Sequence, residues 1–145
     1  SALNSEITIR TYPTRLTEEN AQEIISQYDI VVDGCDNFST RYLINDICAK
    51  MGKVYVYGAI CGFEGQVSVF HYGEEKKSYR DLYPDEEEMR RMPPPPKGVM
   101  GITPAVTGSI EATEVLKIIC GFGEVLSGKL WTIDLRTLQS NKFSL

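Results

Sequence analysis

A short apolar run is followed directly by a polar turn in the stretch Asp29-Ile30-Val31-Val32-Asp33-Gly34-Cys35-Asp36-Asn37. Short runs of β-branched residues are typical of strands that are buried on both faces of a sheet. From about Phe38 to Met51 apolar residues recur at helical spacing, and Gly52 is suited to end that helix. The sequence therefore predicts a strand, a turn and a helix in direct succession.

Elements of the same kinds are predicted on both sides of this unit. Before it, Glu6 to Thr11 alternates polar and β-branched residues like a strand, and Thr17 is suited to be the N-cap of a helix. After it, strands are predicted at Val54 to Gly58 and at Gln66 to Tyr72. Alternating strands and helices form right-handed crossovers, which give a parallel sheet with helices on both faces. The later strands follow short turns, so we expect a mixed parallel and antiparallel sheet of the α/β class.

The second half of the chain is predicted to contain an extended segment, a long helix and a hairpin. Pro93 to Pro96 favours a stiff extended conformation. The helix is expected to start at Thr103 or Pro104 and to end near Cys120. We expect a small-residue face and a core face on this helix, formed respectively by Ala105, Gly108, Ser109 and Ala112 and by Val115, Leu116, Ile118 and Ile119. The hairpin is expected at Lys129 to Asp134 and Thr137 to Phe143.

The composition is that of an ordinary globular domain. The 145 residues suffice for one core, and 42% of them are hydrophobic. The net charge of −5 disfavours nucleic acid or a membrane surface as a partner, and no apolar stretch reaches the roughly 20 residues that span a bilayer. We expect the four cysteines to be reduced and mostly buried thiols of a cytoplasmic protein. His71, the only histidine, is expected to be a satisfied or exposed strand residue rather than a catalytic base.

Asp36 is the first candidate for a functional residue. Ligands of open parallel sheets bind beyond the carboxyl ends of the strands, where Asp36 and Asn37 lie. A carboxylate at such a place can hold a divalent cation against phosphate oxygens, and Arg41, one helical turn further on, can help to neutralise phosphate charge. Alternatively, Asp36 or Asn37 only caps the following helix. The pattern by itself leaves both interpretations open.

The second candidate is the glycine-rich stretch from Gly58 to Gln66. Its glycines would let the backbone approach a ligand or a partner peptide closely, although a plain β-turn would use them equally well. No GxGxxG loop and no GxxxxGK[ST] loop occurs in the chain. A glycine loop of this kind normally follows the first strand of a nucleotide-binding sheet, so the chain begins like the middle of such a sheet.

Three separated blocks of sequence resemble the ThiF/MoeB/HesA family, relatives of the ubiquitin-activating enzymes, and are most like ThiF. The first block runs from Asp29 to Asp46. The second comprises Gly58-Ala59 and Phe63-Glu64-Gly65-Gln66, and the third comprises Gly98-Val99-Met100-Gly101 and Gly108 to Glu114. The blocks occur in the family's order and span nearly the whole chain. The resemblance implies the later part of a Rossmann-like sheet. Residues 1–145 are therefore expected to form a single partial domain, without the N-terminal half that carries the ATP loop.

The resemblance also implies an activity. Family members use ATP and Mg²⁺ to adenylate the C-terminal glycine of a ubiquitin-like sulfur carrier of the ThiS or MoaD kind, in thiamin or molybdopterin biosynthesis. Asp36 matches the catalytic, magnesium-associated aspartate. The matching positions beside it, which imply cofactor binding, are Asn37, Arg41 and Asn45. The residues that would line the channel of the carrier tail are Gly58, Gly62, Gly65 and Gln66. Members are usually homodimers, and the present chain without its ATP loop is expected to bind ATP poorly and to be inactive alone.

Two departures from the family pattern narrow this expectation. Many members hold a structural zinc with two CxxC pairs, but Ser78 and Asp81 stand where the first pair would fall, so no zinc is predicted. Some members carry a reactive cysteine just before the third block, where this chain has Pro94 and its neighbours. Two alternatives to an adenylyltransferase remain open. One is a non-catalytic dimerisation or carrier-docking module of the same fold, and the other is the later half of a Rossmann dehydrogenase.

Overall fold

The computed structural model describes residues 4–93 and 98–145, so most of the predicted proline segment lies outside the described residues. The described part contains five helices, namely α1 (Ala21–Ser26), α2 (Phe38–Met51), α3 (Tyr79–Leu82), α4 (Glu86–Arg91) and α5 (Ile102–Cys120). It also contains five strands, namely β1 (Ile30–Val32), β2 (Val54–Cys61), β3 (Glu64–Phe70), β4 (Lys129–Asp134) and β5 (Gln139–Ser144).

The five strands form one sheet in the order β1-β2-β3-β4-β5. β1 pairs with β2 in parallel, because α2 returns the chain to the same end of the sheet. The three remaining pairs are antiparallel. β2 and β3 are joined by a tight turn in which Gly62 has a φ of +58°, a conformation that glycine adopts without strain. The mixed parallel and antiparallel sheet is therefore confirmed.

The sheet is covered on both faces, as predicted. The side chains of Tyr55, Tyr57 and Phe70 point to one face, where they pack with residues of α1, α2 and α3. Val56, Val67 and Val69 are fully buried on the opposite face, against the α5 residues Ile110, Val115 and Ile118. Alternate residues of the central strands thus belong to two different cores, as the two-residue period of a strand requires.

A buried ion pair fixes α2 to the sheet. Arg41 Nε lies 2.9 Å from Asp33 Oδ2, and both side chains are at least nine-tenths buried. Tyr55 donates its hydroxyl hydrogen bond to the same carboxylate oxygen over 3.0 Å. Arg41 also donates to the carbonyl oxygens of Cys35 and Gly58. One guanidinium therefore connects α2, the turn after β1, and β2.

Helix α2 has the predicted bounds, because the signals at its ends are local. Asn37 Oδ1 accepts a hydrogen bond from the backbone N–H of Thr40 over 2.9 Å and so caps the first turn. At the other end Gly52 adopts a left-handed conformation with φ +63°. The helix that was expected from Thr17 begins instead at Ala21. Residues 17–20 form a turn in which Asn20 Oδ1 accepts from the N–H of Thr17.

The strand predicted at Glu6 to Thr11 is wrong. This segment has no regular secondary structure, and Ile7 and Ile9 are 51% and 63% exposed. A strand needs a neighbour to satisfy its backbone groups, and alternation of residues cannot supply one.

The predicted faces of α5 are also partly wrong. Its expected small-residue face, with Ala105, Gly108, Ser109 and Ala112, is exposed. Leu116 and Ile119, expected in the core, are 52% and 67% exposed. The buried positions are mainly polar, namely Thr103, Thr107, Glu111 and Glu114. The burial of Glu114 is tolerated because its carboxylate accepts hydrogen bonds from Lys117 Nζ and from the backbone N–H of Leu126.

We predict that Arg41→Met lowers the free energy of unfolding by about 3–5 kcal/mol, because it leaves the Asp33 carboxylate buried without its cation. Denaturant unfolding of the variant measures this loss. Arg90→Met is the matched control, since Arg90 forms an exposed pair with Glu86 whose loss costs about 1 kcal/mol or less. Equal losses in the two variants would contradict the role given to the buried pair.

Candidate functional site

A cavity of about 820 Å³ lies at the end of the sheet toward which β1 points. Its wall includes the turn after β1, the hairpin of β2 and β3, the first half of α5, and the near ends of β4 and β5. Residues that represent these parts are Asp33, Asp36, Arg41, Tyr57, Gly62, Tyr83, Thr107, Glu111, Ile133 and Asn141. The cavity therefore crosses the ends of all five strands.

Asp36 faces this cavity. The turn that carries it is fixed from beneath, because Asp33 Oδ1 accepts the N–H of Cys35 over 2.7 Å and Arg41 donates to the carbonyl of Cys35. Asp36 itself is exposed, and its Oδ1 accepts from the side-chain amide of Asn37 over 3.2 Å. A fixed turn thus presents a carboxylate at the carboxyl end of β1, where a cation and phosphate groups can reach it.

The structure separates Asp36 from its neighbour Asn37. Asn37 caps α2 and is not part of the cavity wall, so the capping role that either residue could have filled belongs to Asn37. The carboxylate of Asp36 is left for other contacts. Participation of Asn37 in cofactor binding stays a prediction, and the contacts described here favour a structural role.

Asn45 also lies outside the cavity wall. It is only 2% exposed, and its Oδ1 accepts the backbone N–H of Tyr79 over 2.8 Å. The same oxygen is 3.0 Å from His71 Nε2, so it joins α2 to the end of β3 and to α3. This contact gives the His71 ring a hydrogen-bond partner, and burial lowers the pKa of His71. The predicted contact of Asn45 with a cofactor is untested, and its engaged oxygen favours a structural role.

Arg41 is part of the cavity wall, but its hydrogen bonds go to the protein itself. Its guanidinium carbon lies 5.6 Å from the centre of the Tyr57 ring, and neighbouring Asp33 raises its pKa against the opposing effect of burial. The structure thus shows Arg41 as the residue that fixes the turn. Its contact with phosphate remains a prediction.

The four residues predicted for the tail channel all line the cavity. Gln66 donates through Nε2 to the hydroxyl oxygens of Tyr57 and Tyr83, over 2.7 and 3.0 Å. Gly58 and Gly65 are buried beneath α5, and a Cβ atom on either would overlap Glu111 or Thr107 respectively. These two glycines therefore let the helix approach the sheet closely, a reason for glycine that the sequence did not reveal.

Glu111 is a cavity residue that the sequence analysis missed. It is 7% exposed, and its Oε1 is buried without a hydrogen-bond partner among the described residues. Burial, assisted by the charge of Asp33 and opposed by that of Arg41, raises the pKa of Glu111 to about 7. Its spacing from Thr107 and Glu114, four and three residues, places all three on one helix face. That polar periodicity was the available signal.

Neither the cysteines nor Ser78 and Asp81, which stand where the family's first CxxC pair would fall, form part of a metal cluster within residues 4–93 and 98–145. No group of three or more His, Cys, Asp or Glu side chains there is arranged to hold an ion. Asp81 Oδ2 accepts hydrogen bonds from both the N–H and the hydroxyl of Ser78.

The expectation that the cysteines are mostly buried is wrong, because only Cys48 is buried while Cys61 and Cys120 are exposed. In the same described part, no helix has the length and apolar character of a membrane span.

The sheet, its two helical layers and the carboxylate turn beyond β1 are those of a Rossmann-type α/β domain. The chain belongs to the ThiF family, which residues 1–145 match over their whole length. The resemblance to the ThiF/MoeB/HesA family is thereby confirmed.

Two relatives illustrate this membership. The chain is 45% identical over 145 residues to a "Probable molybdopterin-synthase adenylyltransferase" of Pyropia yezoensis, a match that covers 99% of this chain and 38% of the relative. It is 47% identical over 145 residues to a "Sulfur carrier protein adenylyltransferase" of Thermus thermophilus, which covers 92% of this chain and 51% of the relative. The chain thus spans about half, or less, of the length of these relatives.

Solved structures show the same fold at low identity. The crystal structure of Escherichia coli MccB with ATP matches with a TM-score of 0.76 and 19% identity, over 97% of this chain and 43% of that one. The structure of PaaA matches with a TM-score of 0.66 and 12% identity, over 87% of this chain and 38% of that one.

We predict that burial of Glu111 makes stability depend on pH. Its pKa is raised from an ordinary value of 4.5 to about 7, so folding favours the protonated carboxyl. This stabilisation is complete below pH 4.5 and is lost as the pH rises to about 7, by roughly 3 kcal/mol in total. Denaturant unfolding at several pH values, compared with Glu111→Gln, measures the change.

The exposed Glu124 provides the control for this prediction. Glu124→Gln should leave the pH profile of stability unchanged, because that side chain is 84% exposed. A constant difference between the wild type and Glu111→Gln from pH 4 to pH 8 would contradict the prediction.

Proposed function

We propose that this chain is the later part of an ATP-dependent adenylyltransferase that activates the C-terminal glycine of a ubiquitin-like sulfur carrier. The observation that supports it most is the division of roles between two adjacent residues. Asn37 caps α2, whereas Asp36 presents its carboxylate to the cavity beyond β1. Membership of the ThiF family and the names of its relatives support the adenylation chemistry.

The residues of the cavity fit ATP with Mg²⁺. Magnesium prefers one or two carboxylates together with phosphate and water ligands, and Asp36 offers an accessible carboxylate on a fixed turn. When bound, the ion would neutralise phosphate charge during attack by the carrier carboxylate. Asp36 would hold the ion, and the Asp33–Arg41 pair would keep the turn in place. The N-terminal half of the family domain would supply the phosphate-binding glycine loop.

The remaining length of the cavity suits the carrier tail. Gly58, Gly62 and Gly65 line it, and Gln66 is held against two tyrosines. Glycine residues have no side chain to accommodate, so a glycine-rich tail can lie along this wall. We assign to it the glycine-rich end of the carrier. The names of the relatives favour a carrier of the molybdopterin-synthase kind over the thiamin kind.

Two further assignments belong to the same proposal. Leu116, Ile119 and Phe122 form exposed apolar surface at the end of α5, which we assign to the contact of a homodimer. We also place the full-length protein in the cytoplasm, where ATP is available.

We predict that Asp36→Ala lowers carrier-dependent exchange between ATP and pyrophosphate by about 100-fold or more in the full-length protein, because the phosphate charge loses its metal. Radiolabelled pyrophosphate incorporation into ATP measures the rate. Asp29→Ala is the matched control, since Asp29 is an exposed carboxylate at the opposite end of β1. Exchange that survives Asp36→Ala would refute the metal-holding role and favour a non-catalytic docking module.

A further inference from the structure

Two buried oxygens on one face of α5 have unused hydrogen-bonding capacity. Thr107 Oγ1 and Glu111 Oε1 have no hydrogen-bond partner among the described residues, although both side chains are more than nine-tenths buried. A buried polar group without a partner costs about 1–3 kcal/mol, so such groups normally have one. Both residues line the cavity. Their partners are therefore to be sought in what fills it.

The neighbouring charged groups do not supply these partners. Arg41 is the nearby cation, and its hydrogen bonds go to Asp33 and to the carbonyls of Cys35 and Gly58. Asp33 is an acceptor, and its charge acts on Glu111 only by repulsion. From the sheet, β2 and β3 present Gly58 and Gly65 to these side chains. The two oxygens thus lie against a glycine surface of the sheet, in side chains that line the cavity.

The spacing of Thr107 and Glu111 along α5 is close to the repeat of an extended peptide. Residues four apart on a helix are separated by about 6 Å along its axis. Along an extended peptide, groups on the same side recur every two residues, or about 6.7 Å. A carboxylate can accept a main-chain N–H, and a threonine hydroxyl can donate to a main-chain carbonyl.

The length of the cavity agrees with the same occupant. It crosses from the turn after β1 to β5, which is four strand spacings or about 19 Å. An extended peptide of about six residues has this length.

We propose that Glu111 and Thr107 bind the main chain of the carrier's C-terminal tail, with Glu111 accepting a tail N–H and Thr107 donating to a tail carbonyl about two residues away. This inference rests on the proposed function, and it adds two positioning residues that select the tail by its backbone. A tail residue that lacks its N–H at the contact, such as N-methylglycine, is rejected. The same contact fixes the register of the tail and thus how far its terminal carboxylate extends toward Asp36.

The test uses the full-length protein and a fluorescently labelled alanine-based hexapeptide that ends in Gly-Gly. Fluorescence anisotropy gives the dissociation constant of this peptide and of versions with N-methylglycine at each of the last three positions. Glu111→Met removes the acceptor at similar volume, and Glu111→Gln retains an acceptor oxygen. Thr107→Val removes the hydroxyl at similar shape, and Glu124→Gln is the control on an exposed carboxylate.

We expect Glu111→Met to weaken binding of the Gly-Gly peptide about tenfold. Glu111→Gln should keep most of the wild-type affinity, and Glu124→Gln should leave the affinity unchanged. One N-methylated peptide should bind to the wild type about tenfold more weakly than the unmodified peptide does. For Glu111→Met, the same N-methylation should cause no further loss of affinity. A merely structural role of Glu111 would not produce this non-additivity. Thr107→Val should weaken every peptide several-fold.

Two outcomes overturn the inference and are distinguishable from each other. If the Gly-Gly peptide binds but Glu111→Met and N-methylation act additively, or Glu111→Met has no effect, Glu111 does not contact the tail while the proposed function stands. If the peptide does not bind to the wild type, the tail channel itself is refuted, and this inference fails with it.

Discussion

The contact between Arg41 and Asp33 is the constraint on which the rest of the site depends. One guanidinium donates to the Asp33 carboxylate, to the turn after β1 and to the carbonyl of Gly58, so α2, this turn and β2 share one buried charge. Tyr55 donates to the same carboxylate. A buried ion pair is tolerated when its remaining polar atoms are satisfied, and here the backbone satisfies them. The turn that carries Asp36 is consequently held against the sheet.

The close approach of α5 is the second constraint, and it has a chemical consequence. Helix and sheet meet at Gly58 and Gly65, where the absence of a Cβ leaves room for polar helix side chains. Glu111 and Thr107 occupy that room and border the cavity without partners of their own among the described residues. The glycines predicted for a peptide channel thus act first on the helix. The helix in turn supplies the polar groups that we assign to the peptide.

Local signals explain which parts of this structure could be predicted from the sequence. β1 and α2 follow from an apolar run, the cap at Asn37 and the glycine at position 52, all of which act within a few residues. The strand predicted at Glu6 to Thr11 failed because pairing depends on a partner that alternation does not specify. The buried face of α5 was predicted wrongly because the side chains that this helix buries are threonines and glutamates. Hydrophobic periodicity alone does not reveal such a face.

The candidate site was predictable to a similar extent. Asp36 lies beyond the end of β1 and lines the cavity, a position that the geometry of parallel sheets makes predictable, while its role stays a prediction. The structural contacts of Arg41 and Asn45 involve Gly58, His71 and Tyr79, which lie 17 to 34 residues away in sequence. The most direct measurement is metal rescue of Asp36→Cys in the full-length protein, assayed by carrier-dependent pyrophosphate exchange. If Asp36 holds the metal, this variant is inactive with Mg²⁺ and regains activity with thiophilic Cd²⁺, while Asp36→Ala does not. Equal responses of the two variants to the metals would contradict the assignment.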